Sequence, residues 1–445
     1  MSAEQHISIL GGGLAGLAVG HFARKHGFTF RIYEAGDEVG GNCRTFCRGD
    51  FRFDSGAHRF HDKDAAITNE IRRLLGDELR RVEVPSVIYH RGRLIDFPLS
   101  PLNLLRRLGL RAFVQVAGEV VMCRLRARGT PGDLHAFATQ TYGRTVAHLF
   151  LLNYSQKLWG LDCRQISPHA TGKRLKGLTL VTFLKEAVAG RRAKTRHLDG
   201  AFYYPSRGIG MIAERLRDSC GEANICLGAR ITKIRHDGRR MQAIEINGGD
   251  EVAVDQVVTT LPLGAFVRRL APAPSGDLIE LATQVRFRSL LLVALFLEAD
   301  RITETGTVYF PGPEFPFTRI YEPKNRSAAL APPGRTSLVA EIACYENDSV
   351  WQAEDGELIK LVRSHLVGLG WIRAPQVIEA SVVRLRQAYP LLEKGIEAKV
   401  EKLGAFLDPF QNLKRSGRNA TFQHSSMHDV LRQGQEIIAS LAKSP

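Results

Sequence analysis

The 445-residue chain has no C-x-x-C pair, and its seven cysteines (Cys43, Cys47, Cys123, Cys163, Cys220, Cys226 and Cys344) are an odd, scattered set. That excludes a disulfide framework and a zinc site, and reduced thiols in a cytoplasmic protein are expected. The amino terminus, Met1-Ser2-Ala3-Glu4-Gln5-His6, has neither a basic region nor a long apolar stretch, so no signal peptide is read there. The longest uninterrupted apolar run, Leu290 to Leu297, is far short of the ~20 residues a helix needs to span a bilayer. The expectation is a soluble or at most peripheral protein. Tandem repeats and low-complexity tracts are also missing. With 44% hydrophobic and 24% charged residues, the disordered, collagen-like and coiled-coil classes are excluded. Acids are in deficit: 61 Lys+Arg against 46 Asp+Glu leave +15. Such a field attracts a nucleic acid, an anionic membrane or a phosphorylated small molecule. The basic residues are spread out and match no nucleic-acid module, so no nucleic-acid partner is expected.

The most legible segment is the first. Ile7 to Leu10 reads as a buried strand, Gly11 to Gly13 as a turn, Leu14 to His26 as a helix, and Phe28 to Tyr33 as a second strand. From about 64 to 150 the patterns are mostly helical. They include a basic amphipathic stretch, Leu102 to Arg128, carrying Arg106, Arg107, Arg111, Arg124, Arg126 and Arg128. A polar basic loop is read at 190–200. Strand signals return at Ile225 to Ile234, Ala243 to Ile246 and Gln256 to Thr260, and again between about 285 and 345. Helices are predicted over about 355–368 and 427–442.

Gly11-Gly12-Gly13-Leu14-Ala15-Gly16 fits G-x-G-x-x-G where a strand meets a helix. The first glycine permits the tight turn, the second lets the backbone approach a pyrophosphate, and the third lets helix and strand pack closely. Leu14 and Ala15 open the helix, whose N–H groups face the phosphates. Glu34, 18 residues beyond Gly16, is placed to accept hydrogen bonds from ribose hydroxyls, and a carboxylate there disfavours NADP. Gly40-Gly41-Asn42-Cys43-Arg44 follows, and E-A-G-D-E-V-G-G-N-C-R resembles the extended dinucleotide motif of FAD enzymes. A simple NAD dehydrogenase has no need of the second glycine pair. The fold class expected is α/β: a Rossmann-like FAD-binding domain with inserted α-helical and antiparallel β-sheet substrate regions. The FAD domain is assigned to residues 1–62 with about 205–265 and 405–445. A helical cap covers about 63–200, and a β-sheet substrate domain about 266–404.

At these residues the chain resembles the flavoprotein superfamily of amine oxidases, protoporphyrinogen oxidases, phytoene desaturases and UDP-galactopyranose mutases, and most of all the mutase-like branch. Gly56-Ala57-His58-Arg59-Phe60-His61 is similar to the mutase segment G-x-H-x-F-H against the isoalloxazine ring. Phe150, Tyr154 and Trp159-Gly160-Leu161-Asp162 are similar to the aromatic stretch that cradles uracil, though aromatics at this spacing equally suit a core. Pro316-Phe317-Thr318-Arg319-Ile320 is similar to the segment whose arginine meets the substrate diphosphate. The competing reading pairs Arg319 with Glu322. Tyr389-Pro390, Gly417-Arg418-x-Ala420-Thr421 and Met427 are similar to the carboxy-terminal return to the flavin. For the mobile-loop arginine, Arg174 or Lys173 can take the role. The chain departs from mutases at His424 and Ser425, which stand where mutases carry adjacent tyrosines.

The resemblance implies FAD as the cofactor and no metal. It assigns Gly11, Gly13, Leu14, Ala15, Gly16, Glu34, Gly41, Asn42, Arg44, His58, Ile231, Gly417, Arg418 and Met427 to cofactor binding. His58, Arg174, Arg319 and Tyr389 are the catalytic candidates, and Phe150, Tyr154, Trp159, Lys173 and His424 the substrate-binding ones. His61 is the weaker of the two histidines there. The function implied is a sugar-nucleotide pyranose/furanose mutase, with N5 of the reduced flavin as nucleophile on the anomeric carbon. The alternative is an oxidoreductase transferring hydride from an amine, polyene, tetrapyrrole or sugar to FAD. The partner in either case is a small molecule, a nucleotide sugar or another anionic metabolite. Leu102 to Arg128 leaves peripheral contact with the inner face of a membrane open.

Overall fold

The structure is a computed structural model that describes residues 6–97, 106, 109–125, 129–170 and 201–443. Lys173, Arg174, the 190–200 loop and Arg107, Arg126 and Arg128 therefore lie outside the described residues.

A five-stranded parallel sheet runs in the order Leu413–Arg415, Gln256–Thr259, Ile7–Leu10, Phe30–Tyr33, Ile225–Cys226. All four residues of Ile7–Leu10 are buried, as a central parallel strand covered on both faces requires. The helix Leu14–Lys25 buries Leu17, Ala18, Val19, Phe22 and Ala23, and the carboxy-terminal helix Met427–Leu441 packs along it. From Ile7–Leu10 the chain proceeds outward on one side to Phe30–Tyr33 and later returns on the other at Gln256–Thr259. That makes a topological switch point, where open α/β sheets place their ligand crevice beyond the carboxyl ends of the strands.

A smaller sheet, ordered Asp250–Ala253, Met241–Ile246, Ile231–His236, Leu270–Ala271, takes only the middle of the strand signals read between Ile225 and Thr260, since Ile225–Cys226 and Gln256–Thr259 belong to the parallel sheet instead. The largest sheet has seven strands: Val377–Pro390, Phe287–Leu297, Thr336–Cys344, Arg319–Tyr321, Thr307–Tyr309, Ser86–His90 and Arg93–Phe97. Phe287–Leu297 is buried from Arg288 onward, because both of its edges are paired and both faces covered. Each of its buried Leu, Val and Phe side chains contributes up to about 1.5–3 kcal/mol.

One expectation is corrected. Helices do form at Ala65–Leu75, Leu110–Leu125 and Leu134–Val146, but Leu79–Glu83, Ser86–His90 and Arg93–Phe97 are strands within the stretch read as mostly helical. Ser86–His90 pairs in parallel with Thr307–Tyr309, a partner too distant in sequence for any local pattern to reveal. We retain the three-part domain division as a proposal, with residues 86–97 contributing strands to the sheet of the third segment.

Candidate active site

The nucleotide end is built from three glycine-bearing turns. Gly11 leaves its strand with φ +104°, and a Cβ there would lie 2.3 Å from Thr260 Oγ1. A Cβ at Gly16 would lie 1.9 Å from the Gly11 carbonyl oxygen, so only glycine lets the helix begin this close to the strand. Glu34 ends the second strand and ties the turn down, accepting the N–H of Gly12 at 2.7 Å and of Gly36 at 2.8 Å. The N–H of Ala229 donates to the Glu34 carbonyl at 2.7 Å, which brings the start of the strand carrying Ile231 to the same end of the sheet. Gly13 and Gly40 share a parallel bridge, and a Cβ at Gly41 would come within 3.1 Å of Gly13 Cα. The two glycine pairs read separately from sequence therefore touch.

Gly417, at φ +86°, closes the third side: a Cβ there would meet Ala15 Cβ at 2.6 Å. Met427 opens the last helix with its Sδ 4.0 Å from Cys43 Sγ, and Asn42 accepts the Ser55 hydroxyl at 2.8 Å. At the amino terminus of the helix Leu14–Lys25 no side chain caps the backbone and no acid lies in the first turn. Its partial positive charge is left for a ligand. Arg44 reaches Glu38 with one terminal nitrogen at 3.4 Å, while its buried Nε has no partner. A buried cationic donor beside a cradle with no room for side chains fits the diphosphate of a dinucleotide.

The other end of the crevice is a polar cluster drawn from four segments. The strand Phe51–Asp54 is anchored by the buried Asp54 carboxylate, which accepts from Thr45, Tyr204 and the Ile209 N–H. It runs into Ser55-Gly56-Ala57-His58. Ala57 N–H donates to Glu341 at 2.7 Å, and the same carboxylate accepts Arg319 Nε at 2.6 Å. Arg319 and Glu341 are directly opposite each other on paired antiparallel strands, which fixes the ion pair by register. A terminal nitrogen of Arg319 donates to the Tyr389 hydroxyl at 3.2 Å. His58 Nε2 is 3.2 Å from Ser55 Oγ. A Cβ at Gly56 would have Glu341, His58 and Arg319 all within 4 Å, so this glycine is the centre of the cluster. Burial works against the Arg319 charge, but Glu341 and the surrounding tyrosines outweigh it and hold the guanidinium protonated.

Tyr154 joins from the helical side. Burial pushes its phenol well above the ordinary tyrosine range, with Arg319 pulling the other way, so the hydroxyl is a neutral donor. Its ring stacks on Phe150 at 6.0 Å and meets Tyr309 edge-on at 5.5 Å, while Trp159 meets Tyr389 edge-on at 6.3 Å. Phe150 and Trp159 are buried in one apolar cluster with Ile88, Leu134 and Leu391. The aromatic stretch is thus core and wall at once, the two readings left open by its spacing. Arg418 donates to the carbonyls of Ala388 and Ser425, and its guanidinium lies 5.7 Å from the Tyr389 ring, which joins the return carrying His424 to the strand of Tyr389.

Two readings of single residues change. The alternative partner of Arg319, Glu322, instead accepts from the backbone of Ile302 and Thr303 and from the Thr336 hydroxyl. His61 turns against the edge of Phe202, and burial takes its pKa down to about 3. Glu341, Tyr309 and Asp54 were not singled out from sequence. The available signal for Glu341 is a lone carboxylate within the apolar strand Thr336–Cys344. Lys157 was also passed over as a structural residue. Its ammonium donates to the carbonyls of Phe310, Gly312 and Phe317 and so holds the loop that leads into Arg319. Among the described residues, no group of His, Cys, Asp or Glu could hold a metal ion.

Comparison with known proteins covers the whole chain. The family model for flavin containing amine oxidoreductase matches residues 14–435. Coproporphyrinogen III oxidase of Bacillus subtilis (strain 168) is 20% identical, covering 98% of this chain and 97% of its own. A crystal structure of reduced UDP-galactopyranose mutase superposes with a TM-score of 0.85 at 19% identity, covering 99% of this chain and 96% of its own. Cyclohexylamine oxidase from Brevibacterium oxydans IH-35A gives a TM-score of 0.69 at 16% identity, covering 99% of both chains.

Proposed function

Because the chain belongs to the flavin containing amine oxidoreductase family, and so is a flavoenzyme, we propose that it is an FAD-dependent oxidoreductase removing hydride from a small organic substrate held against Tyr154, Tyr309 and Tyr389. The observation that carries this reading is the Arg319–Glu341 pair. It leaves the reacting end of the crevice without net charge from these two groups, and burial keeps the adjoining Tyr154 phenol a neutral hydrogen-bond donor. Such an environment favours a substrate neutral at its reacting carbon over one that brings a diphosphate to Arg319.

FAD supplies, when bound, a two-electron acceptor that takes up hydride. The chain's own residues do the rest. Gly11, Gly13, Gly16, Gly41 and Gly417 leave room for the dinucleotide backbone, the helix opening at Leu14 and Ala15 faces its phosphates, and Glu34 meets a ribose. Arg44 offers Nε to the diphosphate, with Asn42 and Met427 beside it, while Arg418 stands at the Tyr389 end and Ile231 is packed in the core behind the strand it opens. At the reacting end, Tyr389 and Arg319 orient a polar substituent of the substrate, and the hydrophobic wall of Phe150 and Trp159 behind Tyr154 excludes water. His58, hydrogen-bonded to Ser55, is the titratable group best placed to take the proton released with the hydride.

A second reading, the sugar-nucleotide mutase, has its own support. Phe150 and Tyr154 form a stacked aromatic pair of the kind on which a nucleobase lies, and Arg319 could meet a diphosphate if Glu341 does not hold it. The relatives are named for both classes, an oxidase and a mutase. The test is one anaerobic experiment on the flavin-loaded enzyme. Amines, porphyrinogens and nucleotide sugars are presented to oxidised and to dithionite-reduced protein while the flavin spectrum is followed. Bleaching of the oxidised flavin by an amine, porphyrinogen or sugar, with peroxide formed on readmission of air, supports the oxidoreductase. Furanose product from a nucleotide sugar with the reduced enzyme, and no bleaching by the rest of the panel, overturns it in favour of the mutase.

A further inference from the structure

The helix Leu110–Leu125 has two opposite faces. Toward the protein, Val116 is 3% exposed, Cys123 Sγ donates to the Thr139 carbonyl, and Glu119 accepts the Thr145 N–H, all against the helix Leu134–Val146. On the far side, Leu110, Val114, Val121 and Leu125 are 68%, 60%, 50% and 77% exposed. At about 100° per residue these four fall within a 60° arc opposite the packed face, a stripe about 22 Å long at the helical rise of about 1.5 Å per residue. Met122, 49% exposed, widens it. Most of the large exposed apolar side chains found among the described residues belong to this one helix, the others being Leu227, Val367 and Ile378 in separate places. Scattered exposed leucines are ordinary, but a continuous stripe marks a contact surface.

We propose that this face lies on an anionic lipid bilayer. Charge selects that occupant. Arg106 and Arg111 are exposed beside the stripe, and the stretch 102–128 carries Arg107, Arg124, Arg126 and Arg128 in addition. Its one acid, Glu119, is turned inward and engaged by Thr145 and Gln115. An apolar stripe beside the exposed Arg106 and Arg111, with its one acid turned inward, matches a helix lying in the plane of a membrane interface, and the whole chain at +15 adds attraction to anionic headgroups. Among the described residues no helix is long and apolar enough to cross a membrane, so the contact is to one leaflet surface. The helix Leu134–Val146 behind the stripe runs on through Ala147–Leu152 into Asn153–Trp159. The part of this segment beyond the kink at Gly143 carries Phe150 and Tyr154.

The test is flotation of the purified flavoprotein with vesicles of phosphatidylglycerol and phosphatidylcholine, or of phosphatidylcholine alone, at low and at high salt. Light scattering of the protein by itself is measured in parallel. Binding to the anionic vesicles at low salt, at least tenfold weaker with pure phosphatidylcholine or high salt, is expected. The L110S/V114S/L125S variant should lose at least tenfold more while keeping its flavin, which shows that it is folded. Absence of flotation at low salt overturns the proposal, as does equal flotation of variant and wild type. A dimer that the same variant dissociates, with no vesicle binding, also overturns it and assigns the face to a second copy of the chain.

Discussion

Glu341→Gln is the substitution that most directly probes the cluster, because it removes one charge and keeps the shape. Glu341 is 1% exposed, and its carboxylate holds Arg319 at 2.6 Å and the Ala57 N–H at 2.7 Å. Two unit charges about 4 Å apart attract by about 4 kcal/mol at an effective dielectric near 20. Breaking a buried pair from one side costs about 3–5 kcal/mol, because the remaining charge is left without compensation. E341Q should therefore lose about 3–5 kcal/mol, even though the amide oxygen still accepts from Ala57. R319M should lose a similar amount, since it strands the carboxylate. The double variant R319M/E341Q contains no charge and keeps the Ala57 bond, so it should recover to within about 1–2 kcal/mol of wild type. Urea unfolding of the flavin-loaded protein, followed by flavin and tryptophan fluorescence, measures all four corners of this cycle. Single variants within about 1 kcal/mol of wild type would show that the pair is not buried as described. A double variant as unstable as the sum of the singles would falsify the claim that the two charges answer each other.

Three further outcomes are expected. Gly16→Ala forces a Cβ into the Gly11 carbonyl, a backbone atom that cannot move aside, so the protein should lose about 1–3 kcal/mol and purify with little flavin absorbance. Glu34→Gln retains one acceptor for the turn but weakens the grip on the N–H groups of Gly12 and Gly36 and on the ribose, and flavin affinity by titration of the apoprotein should fall about tenfold, or about 1.4 kcal/mol. His428, stacked on Phe60 at 4.0 Å, has its pKa lowered by burial to about 4. The fold holds it neutral while the unfolded chain protonates it below about 6.5, so its share of stability is complete above that pH and is lost as pH falls toward the folded value. Between pH 7 and pH 5 this one residue should remove about 2 kcal/mol, and melts of His428→Gln should show a correspondingly shallower acid limb.

How much of this was legible beforehand follows from the range of the interactions. The glycine turn, the strand before it, the helix after it and Glu34 lie within one short stretch, and their spacing is itself the requirement of the site. The second glycine pair was also readable, but its contact with Gly13 was not, since that depends on how the loop folds back. Ser86–His90, inside the region read as mostly helical, forms a hairpin with Arg93–Phe97 across Arg91 and Gly92, which is a local pattern, and a parallel pairing with Thr307–Tyr309, which is not. A β partner so far along the chain leaves no periodicity to read. Arg319 was found as a residue but its partner was not: the competing reading offered Glu322, which is close in sequence, while Glu341 is close in the sheet.

The sequence by itself determined the dinucleotide cradle and the excess of positive charge, because each rests on residue type or on spacing within a single short stretch. Tertiary structure alone decided which charges are answered and which apolar faces are left bare. Glu341 meets Arg319 through the register of two antiparallel strands, and the stripe of Leu110, Val114, Val121 and Leu125 is exposed because the helix Leu134–Val146 covers the opposite side. Neither fact has a local signature, since pairing and exposure are properties of what stands opposite a residue in space.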